Sequence, residues 1–277
     1  MWLRLVRYPA YRIVYLSGPL SPDTIRRQRP PDAYLLRVLA ELDAQRAGQT
    51  IYYVEPDVVD FVWKSRYDVD YEYIYGAVRA LGGVFSVALP GDKLVNGQPL
   101  YPTLVRAATR DELQNQINSY PGVYCAIQFD RAVNMYLQHH GGYFSFSCSH
   151  QYDMEQLLNN TRFDYQSDQS QIRLLLGILV YMSVFPALIC DGFPEQMRTR
   201  ERRHAGSDAQ PRTLSLHPEF LGSVKSPHFR SGCFRSLRSD RYKRAPDGTV
   251  RVIYVRDTWV AKDRIKSKTV KRAREEK

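Results

Sequence analysis

The chain has 277 residues, 44% of them apolar, which is enough to bury the core of one large domain or two smaller ones and excludes a disordered or disulfide-stapled protein. Its formal charge of +10 is unevenly spread: 22 Lys and Arg face 9 Asp and Glu from Arg198 to Lys277, a net of +13, while the preceding 197 residues carry 17 against 20, a net of −3. Cys125, Cys148, Cys190 and Cys233 form no CxxC pair, which excludes zinc-ribbon and dithiol motifs and predicts reduced thiols in an intracellular protein.

Arg4 and Arg7 interrupt the first apolar residues, so no signal peptide is expected and the predicted location is the cytoplasm. Tyr11 to Leu16 alternates bulky and β-branched residues as a strand does and stops at Ser17-Gly18-Pro19. In Asp32 to Ala47, Leu35, Leu36, Leu39 and Leu42 share one helical face, and Gly48 is the terminator. A strand over Ile51 to Val54 closes at Glu55-Pro56. A helix over Tyr71 to Leu81 ends at Gly82-Gly83, and a strand follows at Val84 to Leu89. Further strands are predicted at Val123 to Ile127 and Tyr143 to Ser147, and helices at Tyr152 to Asn160 and Gln169 to Phe185.

The run Leu174 to Cys190 is apolar on every side, but its 17 residues sit at the lower edge of what spans a bilayer, and Ser183 and Pro186 interrupt it. It is read as a buried central helix ending near Pro186, and no membrane is expected as a partner. Met197 to Thr213 is polar and aperiodic, and reads as a loop. The Pro246-Asp247-Gly248 turn precedes the strand Val250 to Val255, for which Phe229 to Leu237 is the expected partner. The end of the chain, from Lys262 to Lys277, is basic with little to bury and reads as a tail. The fold class is therefore α+β: a mixed sheet with a buried apolar central helix and a basic C-terminal β-hairpin plus tail. Three parts are expected, a core at 1–197, a loop or linker at 198–213, and the basic hairpin and tail at 214–277, packed on the core.

In the hairpin, Arg230, Arg235, Arg238, Arg241, Lys243, Arg244, Arg251 and Arg256 are interleaved with Phe229, Phe234 and Tyr242. Arginine pairs bidentately with phosphate and an aromatic face stacks on an unpaired base, so this pattern points to nucleic-acid contact. The competing reading has the aromatics fastening the hairpin to the core and the arginines as a solvated rim. His228, beside Arg230 and Arg235, is the candidate general base if the protein cleaves RNA. His139-His140 with Cys148-x-His150 matches no zinc spacing, and the acidic run of Asp57, Asp60, Asp68, Asp70 and Glu72 reads as a solvated face more readily than as a magnesium site. No metal and no cofactor are expected.

The segment from His228 to Arg235, taken with Gly248 to Val260, resembles the C-terminal signature of a group of uncharacterised phage, plasmid and bacterial proteins, His-aromatic-Arg-x-Gly-His-aromatic-Arg followed by a basic stretch and a strand. Cys233 stands where the second histidine is usual. Leu174 to Ser183 is similar to the group's Leu-rich helix. The resemblance covers about a quarter of the chain and implies carriage on a mobile genetic element, but no activity. The expected function is nucleic-acid binding, with RNA or single-stranded DNA preferred because aromatics interleave with the arginines. A metal-independent ribonuclease or toxin using His228 is one alternative, and an inhibitor or assembly component docking on an acidic protein is another.

Overall fold

A computed structural model describes residues 11–12, 32–95, 97–120, 125–139, 142–149, 154–159, 167–195, 197, 209–216, 229–230, 232–239, 241–246, 248–256 and 258–259. Within them the chain is α+β, as expected. The helix α1 (Asp32–Arg46) ends where Gly48 takes a positive φ of 81°, then β2 (Thr50–Val54) follows the short β1 (Tyr11–Arg12) in numbering. Next come α2 (Pro56–Lys64), β3 (Arg66–Asp68), α3 (Tyr71–Ala80), β4 (Val84–Pro90) and a small hairpin of β5 (Leu94–Val95) and β6 (Gln98–Pro99). The middle of the chain forms β7 (Thr103–Thr109), α4 (Arg110–Asn118), β8 (Arg131–His139), β9 (Gly142–Cys148), α5 (Met154–Asn159) and α6 (Ser167–Val184). The remaining strands are β10 (Ile189–Asp191), β11 (Gln210–Leu214), β12 (Phe229–Arg230), β13 (Cys233–Ser236), β14 (Val252–Val255) and β15 (Thr258–Trp259).

The main sheet runs β10-β11-β2-β4-β7-β8-β9, with β1 also pairing β4. The β11–β2 and β2–β4 pairs are parallel and the others antiparallel, so the sheet is mixed. All seven residues of β4 are buried, because helices cover both faces. Phe85, Val87 and Leu89 point with Val105, Val133 and Met135 into the large core shared with α2, α3, α5 and α6. Val84, Leu104, Ala108 and Tyr136 point the other way, against Leu36, Ala40 and Ala44 of α1 and Leu113 of α4.

The apolar run is the spine of the large core. From Leu174 to Met182, except Gly177, every α6 side chain is at most 2% exposed, Arg173 just before them included. Gly177 sits where a Cβ would collide with the Tyr67 hydroxyl. The helix stops before Pro186, which opens a 3₁₀ turn over Pro186–Leu188. Among the described residues no helix is long and apolar enough to cross a membrane.

One helix is added to the predicted elements, and two expectations are corrected. Pro56–Lys64 is a helix: Pro56 presets φ at its first turn, Asp57 complements the dipole, and Val58, Val59, Phe61 and Val62 form its buried face. Cys125 to Ile127 is not a strand, and residues 123 and 124 lie outside the described set. The segment expected as a linker contributes Gln210–Leu214 to the main sheet, hydrogen-bonded between β10 and β2, with Thr213 and Leu214 buried. Its polar composition hid a strand whose partners supply the ladder. In the C-terminal hairpin Phe234 and Val252 are buried in the large core and Tyr254 packs against it. The Tyr11–Leu16 strand is described only at Tyr11 and Arg12, and residues 198–208 and the 260–277 tail lie outside the description.

Candidate nucleic-acid interface

The expected hairpin forms, but in two pieces. β13 pairs antiparallel with β14, Cys233 opposite Val255 and Ser236 opposite Val252, while β12 pairs separately with β15. The break falls at Gly232, where a Cβ would overlap the Tyr254 hydroxyl and where the carbonyl accepts the Arg66 N–H at 3.1 Å. β3 then adds in parallel to the other side of β13, with Arg66 opposite Cys233 and Asp68 opposite Arg235. Ser236 Oγ donates to the Asp68 carbonyl at 2.7 Å and closes the far end. The connection from β13 to β14 is turned by Gly248, at a φ of 82°, whose N–H reaches the Ala245 carbonyl at 2.9 Å.

Side-chain alternation gives this three-stranded sheet two faces of opposite character. Tyr67, Phe234 and Tyr254 lie in register on the inner one. The Phe234 and Tyr67 rings are stacked at 5.4 Å and 3°, and Phe61, Tyr181 and Phe185 meet Phe234 edge-on at 6.1 to 6.3 Å. Phe234 is fully buried. This corrects its assignment as a base-stacking residue, since a ring packed on both sides by other rings has no face left for a ligand.

The outer face is basic. Arg66, Arg235 and Arg251 are exposed, and they follow a diagonal from β3 across β13 to the residue just before β14, whose carbonyl accepts the Leu237 N–H at 2.9 Å. Asp68, Cys233, Ile253 and the 40%-exposed Val255 share this face with them, Asp68 directly opposite Arg235. None of the three arginines has an acidic partner among the described residues. Arg238, at the end of β13, is by contrast paired with Asp68 at 3.2 Å. Arg241 lies over the Tyr242 ring at 4.8 Å and donates to its hydroxyl at 2.8 Å, which leaves Tyr242 exposed beside a cation. Lys243, Arg244 and Arg256 are also exposed. Phe229 and Arg230 are placed only by their backbone in β12, and His228 lies outside the described residues.

Arg66 is the residue that sequence reasoning missed. It belongs to the acidic part of the chain, more than 160 positions from Arg235, and no local signal marks it. Only the parallel β3–β13 pairing carries it to the basic face.

A groove of about 600 Å³ runs beside β14 and is bounded by the end of α6 and the following turn, with Phe185 and Pro186 on one side and Val250 to Tyr254 on the other. A larger cleft, about 780 Å³, opens on the opposite face of the main sheet between α1, β7 and α4. It holds Arg46, Arg79 and Arg106, but Asp43 and Glu112 share it. Arg106 pairs with Asp43 and donates to Gln116 Oε1 at 2.7 Å, and Arg79 pairs with Glu112 at 2.9 Å. Burial raises the Asp43 carboxyl above the ordinary aspartate value against the pull of Arg106. Burial also opposes ionisation of Glu112, but the Thr109 N–H and Arg79 outweigh it and hold that carboxyl below its ordinary value.

The acidic run is consumed by local structure. Asp70 caps α3 by accepting the Tyr73 N–H at 2.9 Å, Asp60 pairs with Lys93 at 2.7 Å, and Glu72 pairs with Arg131. Among the described residues no group of His, Cys, Asp and Glu is placed to hold a metal. No disulfide joins Cys125, Cys148, Cys190 or Cys233. Cys148 is buried, and burial pushes its thiol up to about 12, so it is neither a nucleophile nor a ready metal ligand at neutral pH. The side chains of His139, His140 and His150 lie outside the described set. No protein-family model, curated protein or solved structure matches this chain.

Proposed function

We propose that this protein binds nucleic acid on the outer face of the β3–β13–β14 sheet, and that it takes RNA or single-stranded DNA in preference to duplex. The observation that carries the reading is the diagonal of Arg66, Arg235 and Arg251, three exposed guanidinium groups that form no ion pair among the described residues, the one carboxylate beside them there, Asp68 opposite Arg235, being engaged by Arg238 at 3.2 Å. Phosphates supply that missing charge, and each one bound releases counterions. Arg238, Arg241 and Lys243 extend the field at one rim, and the Tyr242 ring beside Arg241 offers a stacking surface. Carriage on a mobile genetic element rests on the C-terminal resemblance alone.

The test is the salt dependence of binding, followed by fluorescence anisotropy with labelled RNA and single-stranded DNA. Wild type should lose affinity steeply as salt rises. The triple variant Arg66→Glu, Arg235→Glu, Arg251→Glu removes three phosphate partners and should flatten the slope of log K against log salt by about 2, at about 0.7 per phosphate on a single strand. Binding by wild type that is insensitive to salt, or an unchanged slope in a folded triple variant, would show that this face does not carry the interaction.

A further inference from the structure

The groove beside β14 meets the basic face at Arg251, which belongs to both. Its walls are unlike that face. Phe185 and Tyr254 are half-buried rings with centroids 6.2 Å apart at 64°, and Val250 and the exposed Pro186 continue the apolar lining. A pair of hydroxyls, Tyr73 and Ser183, 2.8 Å apart, stands at the same groove and can donate or accept. Arg251 precedes Val252–Val255 and sets a cation at one end of the apolar walls. The groove's volume, about 600 Å³, is in the ordinary range for a small-molecule site.

Resting on the nucleic-acid reading above, we infer that this groove receives an unpaired base of a single strand, with an adjoining phosphate on Arg251. Apolar rings bounded by a cation complement a nucleotide, whose flat face is apolar and whose linkage is anionic. The hydroxyl pair meets base edges without fixing their identity, because each oxygen serves either hydrogen-bonding sense. A paired base enters only after it is flipped out, at a cost of a few kcal/mol, so the groove excludes intact duplex. The arginine diagonal and the groove thus form one path: the backbone crosses the sheet from Arg66 to Arg251, and a base turns in beside β14.

The experiment compares a fluorescein-labelled oligothymidylate with an abasic strand of equal length and with a duplex. Wild type should bind oligothymidylate at least about tenfold tighter than the abasic strand, equivalent to about 1.4 kcal/mol. Thr249→Trp, at an exposed position on the groove wall, fills the space without removing a core contact. It should lower oligothymidylate affinity by that factor and leave the abasic strand unaffected, whereas Arg66→Glu with Arg235→Glu should weaken both strands alike. Equal binding of oligothymidylate and the abasic strand by wild type, with steep salt dependence retained, overturns the groove while leaving the arginine face standing. So does polyglutamate that binds as tightly as oligothymidylate and is lost in Thr249→Trp, which assigns the groove to an acidic polypeptide. Absence of salt-dependent binding to either strand overturns both readings.

Discussion

Arg79 and Arg106 line the cleft beside α1 and α4, and each meets a carboxylate there, Glu112 for the first and Asp43 for the second. Arg66, Arg235 and Arg251 line the outer face of the small sheet and form no ion pair among the described residues, Asp68 beside Arg235 being paired with Arg238. The larger cavity belongs to the first group, yet Arg79 and Arg106 spend their charge on its carboxylates, whereas the three arginines of the second keep theirs for a ligand. Neutralised arginines hold secondary structure together: Arg106 ties β7 to α1 and α4 through Asp43 and Gln116, which also donates to Asp43 Oδ1 at 2.8 Å. Cations without local partners raise the potential of the surface they stand on. What separates a structural arginine from a candidate binding arginine is therefore the charge the fold sets beside it, not its exposure or the size of the nearest hollow.

The largest expected effect comes from removing the basic region outright. Deleting Arg198 to Lys277 takes β11 from between β10 and β2 and strips Leu214, Phe234 and Val252 from the large core, so the remainder should fail to fold rather than fold without binding. Circular dichroism of the purified fragment checks this; a cooperative, native-like fragment would mean the basic region is an appendage after all.

Next in size is the Asp43–Arg106 pair, because the Arg106 side chain is only 5% exposed. Asp43→Ala leaves that charge buried and should cost about 3 kcal/mol in urea unfolding, and adding Arg106→Met should recover most of the loss. Equal stability of Asp43→Ala and wild type would put these arginines in the same class as those of the outer face.

A smaller effect separates the two acids of the cleft by pH. The Glu112 carboxyl is held below its ordinary value, so its contribution is present above that ordinary value and is lost as pH falls through the depressed one. Asp43 is raised, so its contribution runs the other way: it is fullest below the ordinary aspartate value and is lost as pH rises through the raised one. Urea midpoints from about pH 6 to about pH 3 should therefore fall less steeply for Glu112→Gln than for wild type. Identical slopes would deny Glu112 its role with Arg79 and the α4 cap.

The smallest effect is expected where the proposed ligand effect is largest. Arg235→Glu with Arg251→Glu should change folding stability by no more than about 0.5 kcal/mol, since both side chains are exposed and unpaired among the described residues. A loss of several kcal/mol would mean these arginines carry structure and would erase the distinction drawn from the cleft.

Local signals made much of this molecule legible in its sequence. The leucine spacing and Gly48 mark α1, Gly82-Gly83 ends α3, and the unbroken apolar run from Leu174 with Pro186 beyond it specifies a buried helix that stops on cue, because periodicity and backbone restriction act within a few residues. The positive field of the last third and the β13–β14 pairing were legible for the same reason. Only the tertiary structure decided the rest. Gln210–Leu214 is a strand because β2 and β10 stand on either side of it, not because its own residues favour one. Phe234 and Arg235 are neighbours with the same prospects in the sequence, and the pleat sends one into a cluster of rings and the other to the outer face. Arg66 joins Arg235 and Arg251 through hydrogen bonds to a strand far along the chain, and which arginines keep a carboxylate follows from the same long-range pairing. Charge can be counted along a chain, but its neutralisation depends on distances in space, and those exist only once the sheets have assembled.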